Sequence, residues 1–528
     1  MIPSHHLEPL TPLTWLRRSA EVYATRVAVL DGELRLTYAE LYERARRLSG
    51  ALAELGLRSG GRVALMLSNS HEMLEAHFGI PLAGGVIVPM NPRLTAAEAG
   101  HMLSHSGAQI LIHDASLGEV AAAAAAASKS HAITLATGEP YESAVALAMP
   151  FEVALGDESD MLAINYTSGT TGGPKGAVYT YRGAYLQALA MVAHAQLNVS
   201  TVYLWTLPMF HCNGWSFPWA VTAVGGTHVC ILRPEPELAW ATMASHRVTH
   251  MCAAPTVLSD LLSAPSARRQ QASVWVGTGG APPTPTLLGS ARALGLHVVH
   301  MYGMTETYGP IAVNEFLPEW EARPSGERDQ LNARQGIANL VSESLRVIGP
   351  LGEDVPADGT TLGELAVRGN NVMVGYFADA TATLAAIPAG WLRTGDLAVR
   401  HPDRYVEIRD RSKDVIVSGG ENISSVEVEH ALASHPDVLE AAVVGAPHER
   451  WGERPVAFVV PRPGRKVDGE ALRAHLEARL ARFKIPDRFE FTDLPKTATG
   501  KIQKFALKAR ASGTEPNGDL PTVTGANE

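Results

Sequence analysis

Residues 166 to 178 read Tyr166-Thr-Ser-Gly-Thr-Thr-Gly-Gly-Pro-Lys-Gly-Ala-Val178, a run in which hydroxyl side chains interleave with glycines and a lysine follows a proline. Such a loop can wrap a polyphosphate, because glycines let backbone N–H groups close on the oxygens and the hydroxyls add donors. It is not a Walker loop, which needs Gly-Lys followed directly by Ser or Thr; here Pro174 precedes Lys175 and Gly176 follows it. Composition alone would make it a flexible surface loop, whereas the order of residues argues for phosphate chemistry. A second run, Met301-Tyr-Gly-Met-Thr-Glu-Thr-Tyr-Gly309, sets an aromatic ring, a hydroxyl and a carboxylate within five residues, Tyr302 to Glu306. Tyr302 can stack on a purine face, and Glu306 can ligate Mg²⁺ as a hard oxygen donor.

The order of the first run resembles the phosphate loop of the adenylate-forming enzymes (acyl-CoA synthetases, luciferases and peptide-synthetase adenylation domains), and five further segments match that family in the same order. Together they span residues 166 to 502, and Leu36-Thr37-Tyr38 extends the likeness loosely into the N-terminal third. The resemblance implies that Thr167, Ser168, Gly169, Thr170, Thr171, Gly172 and Lys175 bind the phosphates of ATP. It implies that Gly279, Gly280, Ala281 and Pro282 make an adenine-binding turn beside Tyr302, and that Thr305 hydrogen-bonds the α-phosphate while Glu306 and Thr167 hold Mg²⁺. Asp396, in Trp391-Leu-Arg-Thr-Gly-Asp-Leu397, becomes the acceptor for both ribose hydroxyls, with Arg411 as a second ribose contact. Out of context Arg411 and Lys413 read as solvated charges; within Asp410-Arg-Ser-Lys-Asp-Val-Ile-Val-Ser-Gly-Gly-Glu-Asn-Ile423, Lys413 falls at the family's interdomain hinge. Lys501, behind Gly500, corresponds to the lysine that bridges carboxylate and α-phosphate as the adenylate forms, where a point cation offsets developing charge.

Leu207-Pro-Met-Phe-His-Cys-Asn-Gly-Trp215 carries His211 and Trp215 with little charge. A hydrolase reading of His211 lacks a Gly-x-Ser-x-Gly elbow, and a metal reading lacks ligands at suitable spacing. By resemblance this segment lines the carboxylate pocket together with Gly279 and Met304, His211 gating it and Trp215 forming a wall. Cys212 reads as a small packed residue rather than a nucleophile.

The implied reaction has two steps. ATP converts a poorly electrophilic carboxylate to an acyl-AMP with release of pyrophosphate, and a thiol then attacks the activated carbonyl. The family reconciles the steps by rotating a C-terminal domain, which brings the loop at Gly419 and Gly420 to a thiol tunnel. The variants at 208–215, 418–425 and 499–504 look like the small- and medium-chain acyl-CoA synthetase branch, acting on fatty or related acids with CoA as acceptor. An acyl carrier protein, whose phosphopantetheine ends in the same thiol, is the alternative; an inactive nucleotide-binding protein and a luciferase-type oxygenase are remoter ones. ATP, Mg²⁺ and CoA are the expected small molecules, and a homodimer is compatible with the sequence.

Composition bounds these readings. A chain of 528 residues calls for two or more domains. Hydrophobic residues make up 46% and charged residues 19%, a soluble balance. A net charge of −10 gives no broad basic surface and argues against nucleic acid as partner. Three cysteines without a CxxC pair argue against a disulfide framework and a cysteine zinc site. No apolar run reads as a signal peptide or a transmembrane segment, which points to the cytoplasm.

The elements that must hold these loops follow from periodicity. Leu41, Ala45, Leu48, Ala51, Leu52 and Leu55 recur at helical spacing behind a Thr37/Glu40 capping box, predicting a helix from about Tyr38 to Leu55. Arg62–Leu67 reads as a buried strand, 72–84 as a helix and Gly85–Pro89 as a strand. The alternation continues to residue 300 and signals α/β layers on largely parallel sheets. Ala121–Ala127 predicts an exposed helix. From about 340, short strands such as 345–348 and 363–368 between Gly, Pro and Asp turns suggest a small β-barrel or distorted sheet. Arg409–Asp414, five charges in six residues, suits an exposed connection. The expected domains are therefore 1–410, a large α/β domain with its barrel, and 411–511, a mobile α+β lid, followed by a disordered tail at 512–528.

Overall fold

Thr37 closes the first helix as its sequence predicts. In the computed structural model, which describes residues 7–167, 174–419, 421–497 and 501–513, Glu40 N–H donates to the Thr37 hydroxyl while the Glu40 carboxylate accepts from Thr37 N–H at 2.8 Å. The helix runs Tyr38–Glu54, and its stripe of Leu41, Ala45, Leu48 and Leu52 is fully buried. The stripe packs on the helix His71–Leu82. That second helix buries nearly every side chain, including Glu75, which Arg44 reaches at 2.6 Å. A buried carboxylate persists only where such a partner compensates its lost hydration.

Two sheets carry the large N-terminal domain. One has six strands in the spatial order Ile133–Ala136, Ile110–His113, Arg62–Met66, Val86–Pro89, Met161–Tyr166, Gly176–Thr180. Its pairings are parallel except for the last, an antiparallel hairpin. The other has nine strands, in the order Ile337–Ala338, Gly309–Val313, Leu296–Met304, Val274–Thr278, His250–Ala253, Val202–Trp205, Thr227–Cys230, Val27–Asp31, Leu34–Thr37. Its interior is parallel and its two ends antiparallel. Parallel strands covered on both faces need apolar side chains at every position, which is how Val63-Ala-Leu-Met66 and Ile110-Leu-Ile112 read. The alanine helix, Gly118–Ala127, departs from the exposed element expected: Ala121 and Ala124 are fully buried against the helix Ala96–Ser106. Gly100 permits that approach, since a Cβ there would stand 3.1 Å from the Ala124 carbonyl oxygen.

The short strands after residue 340 make an open sheet, Arg346–Ile348, Gly363–Val367, Leu392–Arg400, Val406–Arg411, not a closed barrel. The chain divides into two compact units: Met1–Arg346, Ala366–Thr394 and Asp403–Val406 in one, Val347–Leu365, Gly395–Pro402 and Glu407–Glu528 in the other. The second unit thus takes in strand segments from before residue 410, because these segments hydrogen-bond to one another rather than following chain order. Its C-terminal part is a small α+β body. Gly452–Pro461 pairs antiparallel with Val438–His448 and parallel with Arg488–Phe491, and the helices Ser425–Ala433, Gly469–Glu477 and Lys504–Ala511 accompany the sheet. The charged run Arg409–Asp414 is not wholly exposed as expected. Asp410 is buried and accepts from the Ser425 hydroxyl at 3.0 Å and from Arg411 N–H at 2.8 Å. No described helix is long and apolar enough to cross a membrane.

Candidate active site

The candidate phosphate loop is the tip of a hairpin. Tyr166 pairs with Gly176, and Thr167 N–H donates to the Lys175 carbonyl at 2.9 Å, so the ladder holds both ends of the loop together. Ser168, Gly169, Thr170, Thr171 and Gly172 lie outside the described residues. A second hairpin, Leu296–Met304 against Gly309–Val313, turns through Thr305–Thr307 and so presents Thr305 and Glu306 at its end. The strands approach closely at Gly303, where a Cβ would overlap the Gly309 carbonyl. The Tyr179 hydroxyl donates to the Thr305 carbonyl, and Met373 N–H donates to the Glu306 carbonyl at 2.8 Å, pinning the turn from two sides.

Tyr376 joins these hairpins. Its hydroxyl donates to Glu306 Oε1 at 2.7 Å, and the Lys175 ammonium lies 5.1 Å from its ring centroid. Burial, and then the Glu306 charge, push the phenol well above its ordinary range, so it stays a proton donor that orients the carboxylate. Sequence reasoning missed Tyr376, because a lone tyrosine after a glycine carries no motif. Its contacts arise only from the strand pairing of distant segments.

Two of the acyl-pocket candidates, Trp215 and Gly279, meet in the structure. Asn69 clamps the incoming segment, its amide donating to the carbonyls of Trp205 and Leu207 at 3.0 Å while its Oδ1 accepts from Met209 N–H at 2.8 Å. The chain then makes a left-handed turn: φ is +44° at Cys212, +43° at Asn213, +53° at Gly214, +53° at Trp215 and +66° at Ser216. L-residues disfavour this conformation by about 1–2 kcal/mol each, glycine excepted. The turn seats the buried Trp215 ring on bare backbone, since a Cβ at Gly279 would lie 2.8 Å from the indole and one at Gly309 would lie 3.0 Å from it. Two glycines therefore make room for the Trp215 ring, the side chain expected to wall the acyl pocket. His211 stands beside Cys212, its Nε2 being 3.8 Å from the sulfur. Burial pushes the Cys212 thiol up to about 12, which leaves it protonated and a packing group. Tyr302, Met304, Ala281 and Pro282 are half-buried, and Gly280 is exposed with φ +87°.

The remaining candidates lie on the second unit. Arg411 Nε pairs with the buried Asp396 carboxylate at 3.1 Å, which joins the two residues expected at the ribose. Lys501 belongs to the same charge group. Burial, then the Arg411 cation and also Lys413, push its ammonium down to about 8, against the opposing pull of Asp396 and Asp414. Lys501 is bonded twice to Thr497, whose N–H donates to the Lys501 carbonyl at 2.7 Å and whose hydroxyl accepts from Lys501 N–H at 3.1 Å; residues 498–500 lie outside the described residues. Three residues on, the half-buried Lys504 sets its ammonium between Glu429, at 2.7 Å, and the Ser425 hydroxyl, which itself bonds Asp410. This ion cluster, unforeseen in the sequence, ties the Lys501 segment to the strand that leads to Lys413. Gly419 (φ +61°) receives the Trp451 ring, because a Cβ there would come within 2.7 Å of it; Gly420 lies outside the described residues.

The AMP-binding enzyme family matches residues 16–377, and the AMP-binding enzyme C-terminal domain matches residues 427–501. The peroxisomal acetate/butyrate–CoA ligase of Arabidopsis thaliana is 41% identical, over 98% of this chain and 96% of its own. The peroxisomal benzoate–CoA ligase of the same plant is 39% identical, over 96% and 94% respectively. Among solved structures, the benzoate CoA ligase of Burkholderia xenovorans superposes with a TM-score of 0.85 at 27% identity, covering 94% of this chain and 99% of its own. ATP-bound MatB of Rhodopseudomonas palustris gives 0.84 at 28% identity, covering 94% and 98%. The chain belongs to the AMP-binding enzyme family and is an adenylate-forming acid–thiol ligase of the acyl-CoA synthetase type.

Proposed function

We propose that this enzyme activates a short-chain or aromatic carboxylic acid with ATP, through an acyl-AMP, and transfers the acyl group to CoA, yielding acyl-CoA, AMP and pyrophosphate. The observation that carries the acid class is Trp215, a buried indole lying on the backbone of Gly279 and Gly309; as the wall of the acyl segment it would limit the depth open to an acid. Relatives named for acetate, butyrate, benzoate and trans-cinnamate support a small acid over the fatty acid that the sequence suggested. Thr167, Lys175, Tyr302, Thr305 and the Asp396–Arg411 pair are assigned to the nucleotide, Met304 and His211 to the acid, and Gly419 to the thiol path. The Glu306 carboxylate, oriented through one oxygen by Tyr376, suits a hard divalent cation together with the Thr167 hydroxyl. Mg²⁺ held there would neutralise phosphate charge. Lys501 supplies a fixed cation to the oxygens of the adenylation transition state, and Lys413 serves as the hinge residue.

Pyrophosphate release across acetate, butyrate, benzoate, cinnamate and long-chain acids tests the proposal, with thioester analysis in the presence of CoA or a carrier protein. Release should be highest with a short or aromatic acid, and the thioester should form on CoA. Lys501→Ala should suppress release by at least about a hundredfold, the scale of losing one preorganised charge contact, while thioester formation from preformed acyl-AMP survives. Preference for long-chain acids would refute the acid class, exclusive loading of a carrier protein would refute the acceptor, and equal loss of both half-reactions would refute the role of Lys501.

A further inference from the structure

The left-handed turn that carries Trp215 is braced from beneath by buried polar side chains that no step of the reaction uses. Asn165, one residue before the end of the strand Met161–Tyr166, faces Asn213. Its amide donates to Asn213 Oδ1, and its Oδ1 accepts from Asn213 N–H at 3.2 Å. Asn213 Nδ2 in turn donates to His77 Nε2 at 3.3 Å, and His77 Nδ1 donates to the Met73 carbonyl at 2.7 Å. A carbonyl only accepts, so the His77 proton resides on Nδ1 and Nε2 is the acceptor that Asn213 requires. Burial favours this neutral imidazole, pushing its pKa down to about 4. Asn213 and His77 are fully buried and Asn165 is 2% exposed. The side-chain bonds run in one direction, from amide to amide to imidazole to carbonyl, and the Asn213 backbone N–H returns a bond to Asn165.

Five consecutive residues with positive φ need more than local preference, because only glycine, and less readily asparagine, enters this region without bulk working against it. Asn213 stands near the middle of the turn, two residues before Trp215, on a backbone bond that Asn165 fixes. We propose that Asn165, Asn213 and His77 form a buried strut that holds the left-handed turn and thereby sets how far Trp215 reaches into the acyl pocket. They are positioning residues for acid size, and this role rests on the reading of Trp215 as the pocket wall.

The test compares Asn213→Gly, Asn213→Ala and Trp215→Ala, by pyrophosphate release with a series of acids differing by one methylene and by thermal unfolding. Asn213→Gly accepts the left-handed backbone without strain but deletes the side-chain bonds, so it keeps the experiment informative if Asn213→Ala does not fold. In Asn213→Gly, KM for the preferred acid should rise about tenfold or more, with kcat within about threefold and KM for ATP within about twofold. Discrimination against the next longer acid should fall at least about fivefold, in the same direction as in Trp215→Ala. If Trp215→Ala relaxes discrimination while folded Asn213→Gly keeps the parental profile, the strut does not set the wall and the inference is overturned. Parallel losses for ATP and acid would show a structural role only and overturn it equally. If Trp215→Ala itself leaves the acid profile unchanged, the pocket reading falls and the inference with it.

Discussion

Raising the pH should uncouple the activity of this enzyme from its stability, and Lys501 is the reason. An ordinary lysine stays protonated to about 10.5, whereas burial and the neighbouring Arg411 cation bring Lys501 to about 8. That lowering corresponds to about 3 kcal/mol less favourable protonation in the folded chain. Between about 8 and 10.5 the folded state therefore binds fewer protons at this position than the unfolded state does. By linkage, unfolding free energy rises with pH across that window, and the contribution is lost as pH falls through 8. In the role proposed for Lys501 adenylation needs the charged form, so its trend runs the other way. One pH unit above 8, only about a tenth of the lysine remains charged, and kcat/KM for ATP, which reports the free enzyme, should fall about tenfold from its plateau. Pyrophosphate release measured without CoA is the assay, because a thiol acceptor titrates in the same range. Lys501→Arg keeps its charge throughout, so its descending limb should vanish even if its plateau is lower. A flat parental profile to pH 9.5, or an identical limb in Lys501→Arg, would refute the argument. So would a thermal midpoint that drops in step with activity, since alkaline unfolding would then explain both.

Three further outcomes follow from the geometry. Glu306→Gln keeps the shape but removes the charge that Tyr376 orients, so the Mg²⁺ titration of pyrophosphate release should move to much higher concentration; an unchanged titration would remove Glu306 from the metal. Lys504→Met leaves the buried Asp410 and the half-buried Glu429 without their cation, which should destabilise the C-terminal body by about 3 kcal/mol, the low end for a buried pair, read as an earlier transition in denaturant. Lys413→Pro fixes φ near −65° and removes a donor, so single-turnover pyrophosphate release should persist while thioester formation from acyl-AMP fails; parental transfer by a folded variant would place the pivot elsewhere.

The sequence by itself determined the motif order and the alternating α/β elements, and it marked Lys175, Glu306 and Lys501 as candidates for the chemistry. These are local properties: a capping box at Thr37 and Glu40, a helical period through Leu41–Leu52, and loops whose residue types limit what they can bind. Tertiary structure decided which distant side chains complete the site. Tyr376 reaches Glu306 across 70 residues, Lys504 finds Glu429 across 75, and Asn165 meets Asn213 across 48. Each such partner is an unremarkable residue in its own segment. The run Arg409–Asp414 illustrates the limit, since five charges promised an exposed connection but Ser425 gave Asp410 a buried place. A polar group can be buried only where another part of the chain replaces its water, and no local pattern names that part. The left-handed turn at 212–216 has the same origin, because its strained backbone persists only where Asn165 and His77 hold it.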